Sequence, residues 1–268
     1  VVLAARLLRI PIFVHESDSR PGRVNLFAAR RAKRLALSYP EAVSFFPEKK
    51  RGIITVTGNP VRQDLLYPLV QGAREFLGLR SDLPIVYVTG GSQGASILNE
   101  TLLDILPALL ERCQIVHQVG ERNLAEVKRR VSVVLEKSGV KERYKLFGFL
   151  NSSAIRMVAG AASLAVSRAG SAIFEFAQWG LPVILIPIPE SISHDQRTNA
   201  FTYARSGGAI VIEQGNLTPS VLQSEIFRLL GSQELLGKMR EGAKRFARPD
   251  AARQIAAELL AIVVSHEK

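Results

Sequence analysis

Short apolar runs that alternate with stretches of helical spacing constrain this chain more than any other feature. From residue 83 onward the runs are IVYV (85–88), QIVHQ (114–118), YKLFGF (144–149), AVS (165–167), VILIP (183–187) and AIVI (209–212). Helical stretches separate them, among them residues 95–111 and 124–137. A strand apolar on both faces belongs inside a parallel sheet, and parallel neighbours need a crossover, usually a helix. The pattern predicts an α/β fold, a mostly parallel sheet wrapped by helices on both faces. Residues 10–14, 34–38 and 53–57 read as three earlier strands, with a helix over 24–33, so the chain opens with βαβ material. GNPVR (58–62) breaks that pattern and a linker follows. A final pair of helices is expected near 221–230 and 250–264, with Arg248-Pro249 as a break where the last helix crosses to the other unit. The expected division is residues 1–62, 63–247 and 248–268.

Composition narrows the class. The chain has 268 residues, 47% of them hydrophobic and 22% charged, enough for two packed cores and unlike a disordered chain. One cysteine, Cys113, excludes an internal disulfide framework and a multi-cysteine metal site, which fits a reduced, cytoplasmic setting. No apolar run approaches the roughly 18 residues of a membrane span. VVLAARLLR at residues 1–9 lacks the cleavage pattern of a signal peptide and reads as an amphipathic helix entered midway, so the chain is expected to begin inside a domain. Residues 1–62 hold twelve Lys or Arg against four acids, an excess of eight out of a net charge of +11. Such a segment suits nucleic acid, an anionic membrane surface or a phosphorylated ligand through the same long-range attraction, or is simply a solvated face.

Polar residues gather where strands end. TGGSQGA (89–95) follows a strand and opens a helix: glycines allow a tight turn and free amides point at an anion, so phosphate binding by Gly90, Gly91 and Gly94 is the natural reading. No Gly-Lys-Ser/Thr follows, so it is not a P-loop. SRAG (167–170) repeats the geometry with Gly170. Glu175, in the helix that follows, has apolar neighbours and needs a partner; a ligand's hydroxyl pair would serve, and so would Arg168. His194, Asp195, Gln196 and Asn199 lie past the next strand and can reach the same crevice, or solvent. His15, Glu16, Ser17 and Asp18 follow the first strand, with Gly22 and Asn25 beyond; catalytic base, sugar contact and turn capping are all compatible with them, whereas a full metal-ligand set is not apparent. His117 and Trp179 read as structural.

In this order, HESDSRPGRVN (15–25), GNPVR (58–62), GGSQGA (90–95), HQVG (117–120), SRAG through Pro182, and Gln196 to Ala200 resemble the MurG family, the UDP-N-acetylglucosamine transferases that complete the lipid-linked peptidoglycan precursor. The resemblance covers nearly the whole chain, and six motifs in order are highly specific. It implies two Rossmann-like domains of the GT-B glycosyltransferase type, the N-terminal one incomplete, with donor bound mainly by the second. It also implies an inverting N-acetylglucosaminyltransferase, a hexosyltransferase converting lipid I to lipid II at the cytoplasmic face of the membrane. Its substrates would be UDP-N-acetylglucosamine and the undecaprenyl-pyrophosphate-linked muramyl peptide, with no cofactor, metal or nucleic acid. By matching position, Ser92 and the turn Ser171, Ala172, Ile173, Phe174 and Glu175 would hold diphosphate and ribose. Leu150 would meet uracil through its backbone, Arg62 would approach the nucleotide, and Asp18 and Gln196 would contact N-acetylglucosamine.

The chain departs from the family at three places. Asp18 stands where the family usually has Asn, and the spacing from Gly170 to Glu175 is one residue shorter than usual. The family's N-terminal glycine-rich loop, with the His proposed as general base, would precede Val1, which leaves His15 and Glu16 as substitutes. The competing readings are another UDP-sugar transferase of the same fold, or a donor-binding module without turnover. An NAD-dependent oxidoreductase is disfavoured because no acid follows at the expected distance.

Overall fold

The computed structural model describes residues 1–91, 94–193 and 195–266. The chain opens with helix α1 (Val2–Leu7), strand β1 (Phe13–Glu16), α2 (Arg23–Ala29), β2 (Arg34–Leu37) and β3 (Ile54–Val56). These strands form a parallel sheet in the order β1-β2-β3, with Val14 opposite Leu35 and Leu35 opposite Ile54. β1 starts later than the apolar run at residue 10, because Pro11 has no N–H for the ladder and Arg9 turns the chain at φ 57°.

The second unit comprises α3 (Ala73–Phe76), β4 (Ile85–Thr89), α4 (Ser96–Arg112), β5 (Gln114–Gln118), α5 (Leu124–Val134), β6 (Tyr144–Phe147) and α6 (Ser152–Ala161). It continues through β7 (Leu164–Ser167), α7 (Ala172–Trp179), β8 (Val183–Leu185), α8 (Gln196–Arg205), β9 (Ala209–Val211), α9 (Pro219–Leu230) and α10 (Gln233–Phe246). Its six strands are all parallel, in the order β6-β5-β4-β7-β8-β9. β4, β5 and β7 are buried along their whole length, as central parallel strands must be. Side chains at Asn151, Thr218 and Ser232 cap α6, α9 and α10 by accepting from the amides of Ala154, Val221 and Leu235.

The expectation of only two closing helices is corrected: α10 lies between them and packs against α7. Gly237 and Gly242 lower its helical propensity. Gly242 is required by packing, because a Cβ there would lie 2.4 Å from the Gly207 carbonyl carbon. Helix α11 (Ala251–His266) then crosses back and packs on β2, where Glu258 accepts from Thr55 Oγ1 at 2.7 Å and pairs with Arg34 at 3.3 Å. At the crossing, the Arg248 side chain packs over Gly58, whose φ of 82° and close contact exclude a Cβ.

Packed aromatic rings join the two units. Tyr39, just beyond β2, packs on Phe174 of α7 and Phe246 of α10, at centroid distances of 5.2 and 5.8 Å, and Tyr203 of α8 packs on Phe246 at 4.8 Å. Each such pair contributes about 0.5–1.5 kcal/mol beyond its buried area. Glu41 and Arg205 close the edge of the seam with an ion pair at 2.9 Å. The connecting segment is laid across the helices: Trp179 and Arg156 donate to the carbonyls of Leu65 and Tyr67.

Candidate nucleotide-sugar cleft

The strand order reverses at β4, so that β5 and β6 lie on one side and β7, β8 and β9 on the other. The crevice beyond the carboxyl ends of β4 and β7 is therefore the switch point where open α/β sheets bind ligands. Thr89 and Ser167, the last residues of these strands, are partners in the register, so the two glycine turns that follow stand side by side. The first turn begins with the Thr89 hydroxyl accepting from the Gly91 amide at 3.1 Å. Gly91 and Gly94 have φ of 81° and 74°, and a Cβ at Gly94 would lie 2.0 Å from the Val119 carbonyl oxygen. Ser92, expected to contact phosphate, and His194 lie outside the described residues. α4 then presents its N-terminus to the crevice.

At the second turn, Gly170 faces open space bounded by the Gln196 amide nitrogen. Ser171 is exposed at the start of α7. Ile173 and Phe174 are core residues, Phe174 within the aromatic seam, so their side chains do not face the crevice. Their amides already bond Gly170 and Ser171 carbonyls. Leu150 likewise has its side chain in the core, 2% exposed, which leaves its backbone for contact.

Glu175 is half-buried, and no hydrogen bond or ion pair from a described residue reaches its carboxylate. Burial pushes its pKa up, a shift opposed by the Arg62 charge and reinforced by Asp64. Arg62 stands 3.8 Å from Asp64, at the rim. Arg168 does not neutralise Glu175. Its Nη1 donates to the carbonyls of Ile186 (2.9 Å) and Pro187 (3.4 Å), and burial lowers its pKa. Gln196 completes this knot, its Oε1 accepting from the amides of Ala169 and Ile188 at 3.3 and 3.2 Å. Its amide nitrogen is left toward Gly170.

The loop after β1 and Asn199 of α8 meet at the seam between the units. Glu16 is 2% exposed, and both oxygens are engaged within its own loop by the Asp18 amide, the Gly22 amide and Asn25 Nδ2 at 2.9–3.1 Å. It caps the turn and is not placed as a base. Asn199 is turned into the seam, where it bonds Asp18 and Ser19. Sequence reasoning missed this tie, since nothing local pairs Asn199 with a loop 180 residues away. The His15 ring stands with Nε2 3.3 Å from both the Gly58 carbonyl and Ser38 Oγ. Among the described residues, no cluster of three or more His, Cys, Asp or Glu is grouped as a metal site would be.

Two facing parallel-sheet units with a crevice at the strand ends define the GT-B glycosyltransferase fold. The Glycosyltransferase family 28 C-terminal domain matches residues 85–255, and the family's N-terminal domain matches residues 1–37. Proteins from Treponema denticola and Halothermothrix orenii, both named UDP-N-acetylglucosamine--N-acetylmuramyl-(pentapeptide) pyrophosphoryl-undecaprenol N-acetylglucosamine transferase, are 32% and 34% identical. The alignments cover 98% and 93% of this chain, and 66% and 67% of the relatives. The chain thus spans about two thirds of their length. The crystal structure of Acinetobacter baumannii MurG matches with a TM-score of 0.72 and 27% identity, over 95% of this chain and 68% of that one. A Staphylococcus aureus MnaA-UDP co-structure shares the fold at a TM-score of 0.72 but only 15% identity, over 98% of this chain and 72% of that one. The chain belongs to glycosyltransferase family 28 and, within it, to the MurG family.

Proposed function

We propose that this chain serves an inverting N-acetylglucosaminyl transfer from UDP-N-acetylglucosamine to the muramyl sugar of the undecaprenyl-pyrophosphate-linked precursor, the lipid I to lipid II step. The observation that carries the reading is the half-buried Glu175, without a hydrogen bond or ion pair among the described residues, on the helix after the second glycine turn at the switch point, in a chain of this family. A carboxylate held that way is completed by two ribose hydroxyl donors. The amides and helix N-termini after Gly90 and Gly170 would receive the diphosphate, with Ser92 and residues 171–175 as its cradle. Leu150 would offer its backbone to the base, Arg62 its charge to the nucleotide, and Asp18 and Gln196 their polar groups to the sugar. Residues 63–247 would form the donor domain, residues 1–62 with residues 248–268 the acceptor side.

In the transfer, an acceptor hydroxyl oxygen bonds to the anomeric carbon from the face opposite UDP. The bond to the β-phosphate oxygen breaks, UDP leaves with the electron pair, and the hydroxyl proton passes to a base. The residues assigned here act on the leaving group, stabilising the charge that grows on the diphosphate. Calorimetric titration with UDP-N-acetylglucosamine, UDP-glucose and NAD tests the reading. Selective binding of the first, weakened by Glu175→Ala, is expected; preference for NAD would overturn it.

The acceptor side would rest on the anionic inner membrane surface as a peripheral protein. Among the described residues, no helix is long and apolar enough to cross a membrane. A cavity of about 400 Å³ lies between α2 and residues 45–50, lined by Leu26, Ala29, Phe45 and Phe46 and rimmed by Arg30, Lys49 and Lys50. Apolar surface ringed by cations is the chemistry of a lipid interface.

A further inference from the structure

We infer that His117, buried near the carboxyl end of β5, is a positioning residue that sets the diphosphate turn through a one-directional chain of buried hydrogen bonds. The inference rests on the donor reading above. The His117 ring is wholly buried, with Nδ1 2.8 Å from the Tyr144 hydroxyl and Nε2 3.0 Å from Asn99 Oδ1. Asn99, also buried, lies in the first two turns of α4, and its Nδ2 donates to the Val119 carbonyl at 3.4 Å. That bond settles which end of the Asn99 amide is which, so Oδ1 must accept and His117 Nε2 must carry the proton. Burial holds the imidazole neutral, its pKa pushed down to about 3, so Nδ1 is an acceptor and takes the Tyr144 O–H. Every proton is assigned: Tyr144 to His117, His117 to Asn99, Asn99 to Val119.

The chain ends against the diphosphate turn. The Val119 carbonyl also accepts from Asn123 Nδ2 at 2.7 Å, and Gly94 packs so closely over it that no Cβ fits. Two amides and one glycine therefore converge on a single oxygen at the back of the turn. His117 fixes Asn99, Asn99 fixes where α4 starts relative to the end of β5, and the turn, which joins β4 to α4, closes with Gly94 against that point. An apolar side chain in place of His117 would leave Asn99 Oδ1 buried without a donor, and the amide would then turn away from Val119.

The test compares UDP by calorimetry with uridine by ligand-observed NMR, on the full chain and three variants. His117→Phe is expected to weaken UDP about tenfold, the equivalent of one displaced hydrogen bond, and to leave uridine unchanged. His117→Gln, whose amide can still donate to Asn99, is expected to bind UDP nearly as the parent does. Asn99→Asp, which keeps the His117 acceptor but loses the donor to Val119, is expected to repeat the selective loss and decides the matter if His117→Phe does not fold. Equal weakening of UDP and uridine, or full UDP affinity in both His117→Phe and Asn99→Asp, would overturn the inference alone. Failure of the parent chain to bind UDP would instead overturn the donor reading.

Discussion

Asn199 of α8 holds the loop after β1 with both ends of its amide: Nδ2 lies 2.8 Å from Asp18 Oδ1, while Oδ1 accepts from the Ser19 amide and hydroxyl, each at 2.8 Å. One side chain thus ties the two units beside the cleft, one turn along α8 from Gln196. Asp18 suits this role because a carboxylate can only accept, and Asn199 supplies the donor.

Removing the tie is expected to cost more than an average substitution. Asn199→Ala leaves the Ser19 groups, now buried, without an acceptor and should destabilise the chain by about 2–4 kcal/mol in urea unfolding. Asn199→Asp should be worse at neutral pH, because two carboxylates then face each other, and adding Asp18→Asn should recover most of the loss. Equal stability of the single and double variants would show that the two side chains do not interact.

Glu175 should trade stability for binding. Its folded pKa is raised by burial, so the folded chain takes up a proton more readily than the unfolded one. Its contribution therefore improves stability as pH falls through the folded pKa and opposes folding above it. Glu175→Gln is accordingly expected to keep or raise the melting temperature at pH 7.5 while weakening UDP-sugar binding at least tenfold through the lost charged acceptor. Calorimetry and thermal unfolding on the same samples check both signs.

His117 gives a pH dependence of opposite sense. Its folded pKa is depressed to about 3, so its contribution is intact above an unfolded value of about 6.5 and is lost as pH falls, by about 1.4 kcal/mol per pH unit. Between pH 7.5 and 5 this one group should remove about 2 kcal/mol of stability. His117→Gln should lack that component, which urea titrations at the two pH values would reveal as a smaller difference.

Gly94→Ala should damage the first turn specifically. A Cβ meets both a positive φ and the Val119 oxygen, and a left-handed backbone with a backbone clash costs more than the roughly 1 kcal/mol of ordinary Gly-to-Ala strain. Loss of UDP binding is expected. Gly215→Ala, where nothing lies within 4 Å and φ is ordinary, should be neutral.

The basic apolar cavity makes its own prediction. Sedimentation with phosphatidylglycerol vesicles should exceed that with phosphatidylcholine vesicles at low salt, and Lys49→Glu with Lys50→Glu should abolish the difference. Equal sedimentation with both lipids would remove the membrane proposal.

The strands and the first glycine turn were readable because their causes are local: an apolar run fills a parallel sheet, and φ of 81° and 74° at Gly91 and Gly94 demands glycine. Helix α10 was missed because Gly237 and Gly242 disguise it locally, although Gly242 is needed where α10 meets Gly207. Glu16 could be read as base, sugar contact or cap with equal right, since its sequence neighbours suit all three. Only the folded loop engages its two oxygens.

The sequence by itself determined the α/β class, the second sheet's strand positions, both glycine turns and the setting of Glu175 among apolar neighbours, for these follow from residue type and spacing. Tertiary structure alone decided that Arg168 turns to carbonyls instead of Glu175, that Asn199 joins Asp18 and Ser19, and that His117 reaches Val119 through Asn99. A buried polar group must find a partner, and which one it finds depends on how elements far apart in sequence pack together.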